Sequence, residues 1–557
     1  MPQRLLKPAR VVLAIAFLVA TAVLFLDLEG RAPGGAIDSA LYLQFTPSLV
    51  KFAHAVGWGA LGFGFVLLLT LLFGRVFCST ICPLGTLQDI VIRLAERLRR
   101  HKKRVRFRYR RPHHFLRFGL LIGAAVFAMG GSLFLIVQLD PFSQFGRIMA
   151  LLVRPLVVGA NNMVALTLEC LGSYLVAPLK FALANWQVLL APLGVLGLLV
   201  WMSTKHGRLF CNTLCPVGTL LGMLSRIALF RIVIDRAQCN LCAKCSVQCK
   251  AECIHPKDMR VDFDRCVACF NCIPVCPESG IGYRLAWKAR VGWRGKENPT
   301  TATMCSFSPG VANVLDAEAN GLRNAEPNPQ SRERRAFLWR SAYGLVSCAC
   351  CVSMSGATDW PQNKRPTTIP VVKQHPVAPP GSGSITRFNA ACTACQLCVS
   401  VCPTQVLQPS LLSYGPSGFL QPHMDYEAAY CTYECIRCGQ VCPTDAIRPM
   451  ETEEKKRSRI GTAYFIEDNC IVVTEKTACG ACAEHCPSQA VHMVPYEKEL
   501  TVPELDADVC IGCGACEHVC PVRPHRAIYV EGELLHQVAK MPRSETLQIE
   551  VPADFPF

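Results

Sequence analysis

The segment Cys392-Thr-Ala-Cys-Gln-Leu-Cys-Val-Ser-Val-Cys-Pro403 sets three cysteines within seven residues and a fourth, followed by proline, four residues on. Two runs of four precede it: Cys239, Cys242, Cys245, Cys249 and Cys266, Cys269, Cys272, Cys276. Three follow: Cys431, Cys435, Cys438, Cys442; Cys470, Cys479, Cys482, Cys486; and Cys510, Cys513, Cys516, Cys520. Zinc prefers two separated cysteine pairs around one tetrahedral ion, which such crowding does not offer. Disulfides fail as well, because four thiols per run would need partners within a few residues. The runs use 24 of the 34 cysteines, and their spacing assigns them to six [4Fe–4S] clusters.

The pattern resembles that of bacterial ferredoxins, in which three close thiolates wrap one cluster and the fourth, turned away by the proline, reaches its neighbour. The resemblance implies α+β ferredoxin-like modules binding pairs of clusters. The Cys239 run then exchanges its fourth cysteine with the Cys266 run. In the second half a nested exchange is expected, the Cys392 run with the Cys510 run and the Cys431 run with the Cys470 run. One departure stands out: Lys250 replaces the proline after Cys249, and Cys253 lies four residues on, so either thiol could be the distal ligand.

Working outward, the formal charge of +16 is unevenly spread. From Ala390 onward there are 12 basic and 22 acidic residues, against 45 and 19 before it. The basic part holds apolar runs long enough for a hydrocarbon core, about 20 residues each. Four spans are read, Val11–Leu28, Phe52–Phe73, Phe115–Val137 and Trp186–Met202, with a fifth if Ala336–Ala357 also crosses. The stretch Ile148–Ala184, interrupted by Pro155, Gly159 and Asn161-Asn162, reads as a helical hairpin or a surface-lying segment. Eleven basic residues between Arg93 and Arg111 against Glu96 alone place that connection, and the N-terminus, in the cytoplasm. No base-reading motif accompanies the run, so nucleic acid is not a partner.

Gly74-Arg-Val-Phe-Cys-Ser-Thr-Ile-Cys-Pro-Leu-Gly-Thr-Leu87 recurs as Gly207-Arg-Leu-Phe-Cys-Asn-Thr-Leu-Cys-Pro-Val-Gly-Thr-Leu220. At i and i+4 on a helix, Cys78 with Cys82 and Cys211 with Cys215 each present two thiols on one face. They suit a redox-active or metal-binding group, or else a structural role at the membrane surface. This duplication, followed by two ferredoxin runs, resembles the NapH-type membrane ferredoxins over about Trp58–Tyr283. The later half resembles NapG-type four-cluster proteins over about Arg332–Arg526. Arg334-Arg335 before a modestly apolar segment reads as an internal twin-arginine signal, which would export a folded cluster domain. Leu345-Val346-Ser347-Cys348 has the form of a lipobox, at which cleavage would part the two halves.

The expected organisation is therefore an α-helical membrane domain (1–230), a cytoplasmic two-cluster module (231–290), a linker (291–332), the signal or fifth span (333–358), a Pro-rich tether (359–389) and an exported four-cluster domain (390–557). The resemblance implies a fused quinol dehydrogenase module of a bacterial inner membrane, passing electrons from membrane quinol to a periplasmic reductase or cytochrome c. Alternatives are a metal reductase or respiratory-complex assembly factor using the CxxxCP thiols, and a relay subunit without its own quinone site. His54, Asp140 and Glu169 are candidate proton acceptors by position. No haem attachment site, P-loop or dinucleotide fingerprint occurs. Ser355-Gly-Ala-Thr358 lacks a surrounding flavin-binding domain, so no flavin is expected.

Overall fold

The computed structural model describes residues 3–26, 39–54, 61–99, 107–179, 185–286 and 368–541. The linker, the twin-arginine segment with its lipobox and fifth span, and the first residues of the tether lie outside them.

Three helices are long and apolar enough to cross a membrane, Leu6–Leu26, Pro141–Cys170 and Trp186–His206; Gly62–Phe73, His114–Met129 and Pro216–Ser225 are shorter apolar helices. Helix Leu6–Leu26 leaves Val12, Leu13, Ile15, Val19 and Val23 about half exposed, a face suited to lipid. Its Thr21 hydroxyl is satisfied internally, donating to the Phe17 carbonyl at 2.7 Å. These helices are compatible with a membrane anchor.

Two of the four expected spans differ from the sequence reading. The Phe115–Val137 stretch is not continuous: helix His114–Met129 stops at Gly130-Gly131, where Gly131 takes φ +78°, and Phe134–Leu139 starts afresh. Of Phe52–Phe73, Gly62–Phe73 is one helix, while Phe52 and His54 close the separate helix Phe45–His54. The stretch Ile148–Ala184 is the converse case: Ile148–Cys170 continues a 30-residue helix from Pro141, 171–179 is a non-helical return, and 180–184 lie outside the described residues. Pro155 lacks an N–H and its ring crowds the carbonyl four residues back; a π-helical turn, Met149–Val153, absorbs the misfit. Asn161 and Asn162 do not break the helix either. Their side chains donate to the Ala177 and Leu179 carbonyls and hold the returning chain.

The cysteine runs sit between short antiparallel pairs. Phe230–Ile234 pairs with Ile281–Leu285 around the first two runs, with Ile254–His255 and Arg260–Val261 paired between them. Ser458–Phe465 and Ile528–Val538 enclose the last two runs, with the hairpin Val491–Pro495/Thr501–Leu505 inside. Leu407–Pro409 and Pro422–Met424 form the corresponding inner pair between the Cys392 and Cys431 runs. Each inner pair folds one run back upon the next.

The Pro-rich tether is not free over residues 368–384. Val377, Ala378 and Ser382 are buried, Lys373 pairs with Glu517 at 2.7 Å, and Met424 N–H donates to the Val377 carbonyl. Prolines with preset φ make it a strap laid on the later half.

Candidate metal centres

The backbone of the four C-x-x-C-x-x-C runs is shaped alike. In C-x-x-C-x-x-C the second residue of the first gap and the first of the second gap take positive φ: Leu241 and Ala243, Ala268 and Phe270, Ala394 and Gln396, Gly512 and Gly514. A non-glycine residue there costs about 1–3 kcal/mol and persists only where the surroundings over-determine it. A second strained position recurs three residues after the fourth cysteine, at Ser279, Gln405, Asp445 and Gln489. Glu252, three residues after Cys249, has the same sign at φ +50°, and its N–H donates to the Cys249 carbonyl at 3.0 Å. Cys249 thus keeps the fourth-cysteine turn without the proline, and Cys253 is an extra thiol, 3.5 Å from Cys249.

The structure brings the runs together consecutively. One cavity is lined by Cys239, Cys242, Cys245 and Cys276. A second is lined by Cys431, Cys435 and Cys438 with Cys402, and a third by Cys470, Cys479 and Cys482 with Cys520. The reciprocal sets show in the thiols' surroundings. Burial, then Cys249 and Cys266, pushes Cys269 up to about 11. Burial, then Cys395, Cys392 and Cys442, pushes Cys398 well up, and burial, then Cys513, Cys510 and Cys486, does so for Cys516. The nested pairing of the later half is therefore corrected: the Cys392 run exchanges with the Cys431 run, and the Cys470 run with the Cys510 run. The reason is the inner hairpins, which return each run to its sequence neighbour. The two pairs meet where Cys431 N–H donates to the Cys513 carbonyl at 3.0 Å.

The duplicated elements converge on one site. Cys78, Cys82, Cys211 and Cys215 are each 4% exposed and share one core. The copies exchange arginines: Arg75 donates to the Cys211 carbonyl at 3.2 Å, and Arg208 to the Cys78 carbonyl at 2.8 Å. Gly85 and Gly218 make room, since a Cβ at either would collide with the cysteine carbonyl of its own copy, Cys78 or Cys211, and with the arginine of the other copy that bonds it. Gly218 N–H points at Cys215 Sγ, 3.3 Å away. Burial drives the Cys82 and Cys215 thiols far up, with neighbouring cysteines adding to it.

Charge surrounds this site. Asp89 meets Arg10 and Arg208 at 2.9 Å and Lys250 at 3.4 Å, all buried. Burial alone would raise its carboxyl, but Arg208, Lys250 and Arg10 hold it well below the carboxylate range. Across the duplication Asp264 takes the analogous place, bonded to Arg117 at 3.2 Å and Arg226 at 3.1 Å, beside Gly222, which aligns with Asp89. Lys250 explains the missing proline: its ammonium completes the Asp89 cluster, and its carbonyl accepts from Arg208 N–H at 2.8 Å. Sequence reading passed over Asp89, Lys250 and the two arginines as site residues, although Gly-Arg was part of the repeat.

These donors fit iron–sulfur clusters. Thiols gathered by fours under strained loops, with amide N–H groups aimed at sulfur as from Ala490 to Cys486, suit an anionic thiolate cluster. Among the described residues no three His, Cys, Asp or Glu side chains close on a single small ion. Of the proposed proton acceptors, Asp140 is 1% exposed, whereas His54 and Glu169 lie at the surface.

Comparison with known proteins agrees. A "4Fe-4S binding domain" family model matches residues 56–106 and 188–235, the two CxxxCP copies, and a "4Fe-4S dicluster domain" model matches 477–523. The methylamine utilization ferredoxin-type protein MauM of Methylophilus methylotrophus is 30% identical over 215 residues, 37% of this chain and 88% of the relative. The chain belongs to the MauM-type ferredoxin family. Two ferredoxin-type proteins of Escherichia coli K12 are similar to this MauM-type chain. NapF is 29% identical over 154 residues, 28% of the chain and 85% of NapF. NapG is 26% identical over 206 residues, 36% of the chain and 84% of NapG. No solved structure matches. The MauM-type chain is thus a ferredoxin-type iron–sulfur electron-transfer protein with [4Fe–4S] domains.

Proposed function

We propose that the chain is a membrane-bound relay of quinol dehydrogenase type, a NapH-like membrane half fused to a NapG-like half. It takes electrons from membrane quinol and delivers them to an oxidoreductase or cytochrome c on the periplasmic side. The observation that carries this reading is helix Leu6–Leu26. At one end Arg10 reaches Asp89 and the Ser79 carbonyl, beside the four CxxxCP thiols. At the other, Phe25 packs on Phe142 and Phe145, next to the loop of Cys395. Fifteen residues of helix separate the two by about 22 Å. Thiol sites at both ends of an apolar helix suit transfer across a membrane.

In this reading the six four-thiol sets hold clusters, the CxxxCP thiols hold a further redox-active metal centre, and the clusters supply one-electron chemistry. The chain's own residues place and insulate the sites. Burial keeps water from the CxxxCP thiols, Arg75 and Arg208 lock the two copies, and Asp89 and Asp264 fasten the first module beneath them. Basic loops hold the first module in the cytoplasm, and the acidic later half favours a basic partner whose association slows with salt.

Anaerobic mixing of the purified full chain with menaquinol or ubiquinol analogues is the test. Bleaching of the iron–sulfur absorption is expected. Clusters that dithionite reduces but neither quinol does would defeat the quinol assignment. A reporter active only in the periplasm, fused after Phe557, tests the orientation.

A further inference from the structure

We propose that Arg147 of the membrane helix Pro141–Cys170 is the positioning residue for the cluster of Cys392, Cys395, Cys398 and Cys442, and raises its potential above what its own half would give it. The inference rests on the reading that these thiols hold a cluster.

Arg147 is 1% exposed in a helix apolar enough to span a membrane. A guanidinium there is expensive and calls for a partner. Its Nε donates to the Ala394 carbonyl at 3.1 Å and its Nη1 to Gln138 Oε1 at 3.0 Å. Ala394 is the strained residue of the Cys392-x-x-Cys395 gap, with φ +49°, so the bond grips the loop that wraps the site. The third nitrogen, Nη2, is buried without a hydrogen-bond partner. Asp140 lies near enough to attract the guanidinium; its Oδ2 accepts from Ser143 N–H at 2.7 Å and Ser143 Oγ at 2.8 Å, and its Oδ1 is left without a hydrogen-bond partner. What else the cation faces is Cys395 and Cys392.

The approach is built into the sequence. Gly146 lies against the Cys395 carbonyl and the Phe25 ring, where any Cβ would collide with both. Two turns on, Arg154 faces Cys402, which lines the adjacent Cys431 site. One helix therefore presents a cation to each of the two neighbouring sites. Cys510, in contrast, faces Arg459 of its own half. Cluster potentials respond to net charge and to hydrogen bonds around the ligands. A buried cation favours the more negative, reduced state, so its loss moves the potential down.

Redox titration of the full chain, followed by electron paramagnetic resonance, tests this with iron content measured in parallel. Cys395→Ser identifies the signal of the site. Arg147→Gln is expected to move that signal alone to more negative potential, and Arg147→Lys to move it less. An unmoved signal with iron retained, or a uniform shift of all signals, overturns the proposal. Should Arg147→Gln fail to assemble the site, Arg147→Met, unbranched and neutral, decides: a negative shift of the one signal supports the proposal, and the wild-type potential, or a failure of this neutral variant too to assemble the site, overturns it. Unchanged iron and spectra in Cys395→Ser would instead bring down the underlying reading, and the inference with it.

Discussion

Replacing Asp89 by asparagine keeps the shape of the side chain and removes the one carboxylate that Arg10, Arg208 and Lys250 share. All three cations are 5% exposed or less at the side chain. Breaking a buried pair by removing one partner costs about 3–5 kcal/mol, because the charge left behind is uncompensated. Asp89→Asn should therefore lower the unfolding free energy of the membrane half by about that amount, a factor of roughly 10² to 10⁴ in equilibrium constant. The pH dependence gives a second check. The folded pKa of Asp89 is depressed, so its stabilisation is present above the unfolded carboxylate value, about 3.9, and fades only as pH falls toward the folded value. The difference between wild type and variant should thus stay constant from about pH 8 to about pH 5. Urea unfolding of the detergent-solubilised chain measures it. A variant within about 0.5 kcal/mol of wild type, or a difference that closes over that pH range, would refute the reasoning.

Gly146→Ala should loosen the later half from the membrane helices at a cost of about 1–3 kcal/mol, seen as faster proteolytic release of residues 368–541. Cys249→Ser should cost about four iron per chain while Cys253→Ser costs none, because Cys249 alone keeps the fourth-cysteine turn; equal losses would reverse the assignment. Burial lowers His536 to about 4, with Glu533 opposing, so the folded state holds it neutral. Its contribution is present above the unfolded value near 6.5 and is lost as pH falls toward 4. His536→Phe should flatten that loss in acid unfolding of the later half.

What the sequence disclosed follows the range of each interaction. Iron-ligand spacing is local, so the runs could be found from one segment such as Cys392–Pro403. Which run exchanges with which depends on whether the chain between them turns back. The short pairs Leu407–Pro409 with Pro422–Met424, and Val491–Pro495 with Thr501–Leu505, decide that. They are too brief to show a clear period of two. Helix limits failed for a related reason. Pro155 reads as a breaker, but one π-helical turn accommodates it; Gly130-Gly131 reads as tolerable within a span, yet Gly131 adopts φ +78° and ends the helix. The duplication disclosed Arg75 and Arg208 only as matched letters. Their role, each holding the other copy's cysteine carbonyl, exists only once the copies face one another.

The charges around the CxxxCP thiols argue for their occupant. Arg10, Arg75, Arg208 and Lys250 are buried there with Asp89 as their nearby carboxylate, a positive excess that costs several kcal/mol per ion unless an anion offsets it. Free thiols do not supply one, because burial pushes Cys82 and Cys215 far above neutrality. A metal bound by the four sulfurs answers both difficulties, since coordination deprotonates thiols outright and the thiolates then balance the arginines. If that centre is an iron–sulfur cube, the chain carries about 28 iron, against about 24 for the six ferredoxin sites alone. The double variant Cys82→Ser/Cys215→Ser should then lose about four iron and destabilise the membrane half by more than two thiol contacts explain, because Arg75, which faces only cysteines for counter-charge, loses it. Unchanged iron together with unchanged stability would leave the arginines balanced by something other than a thiolate centre.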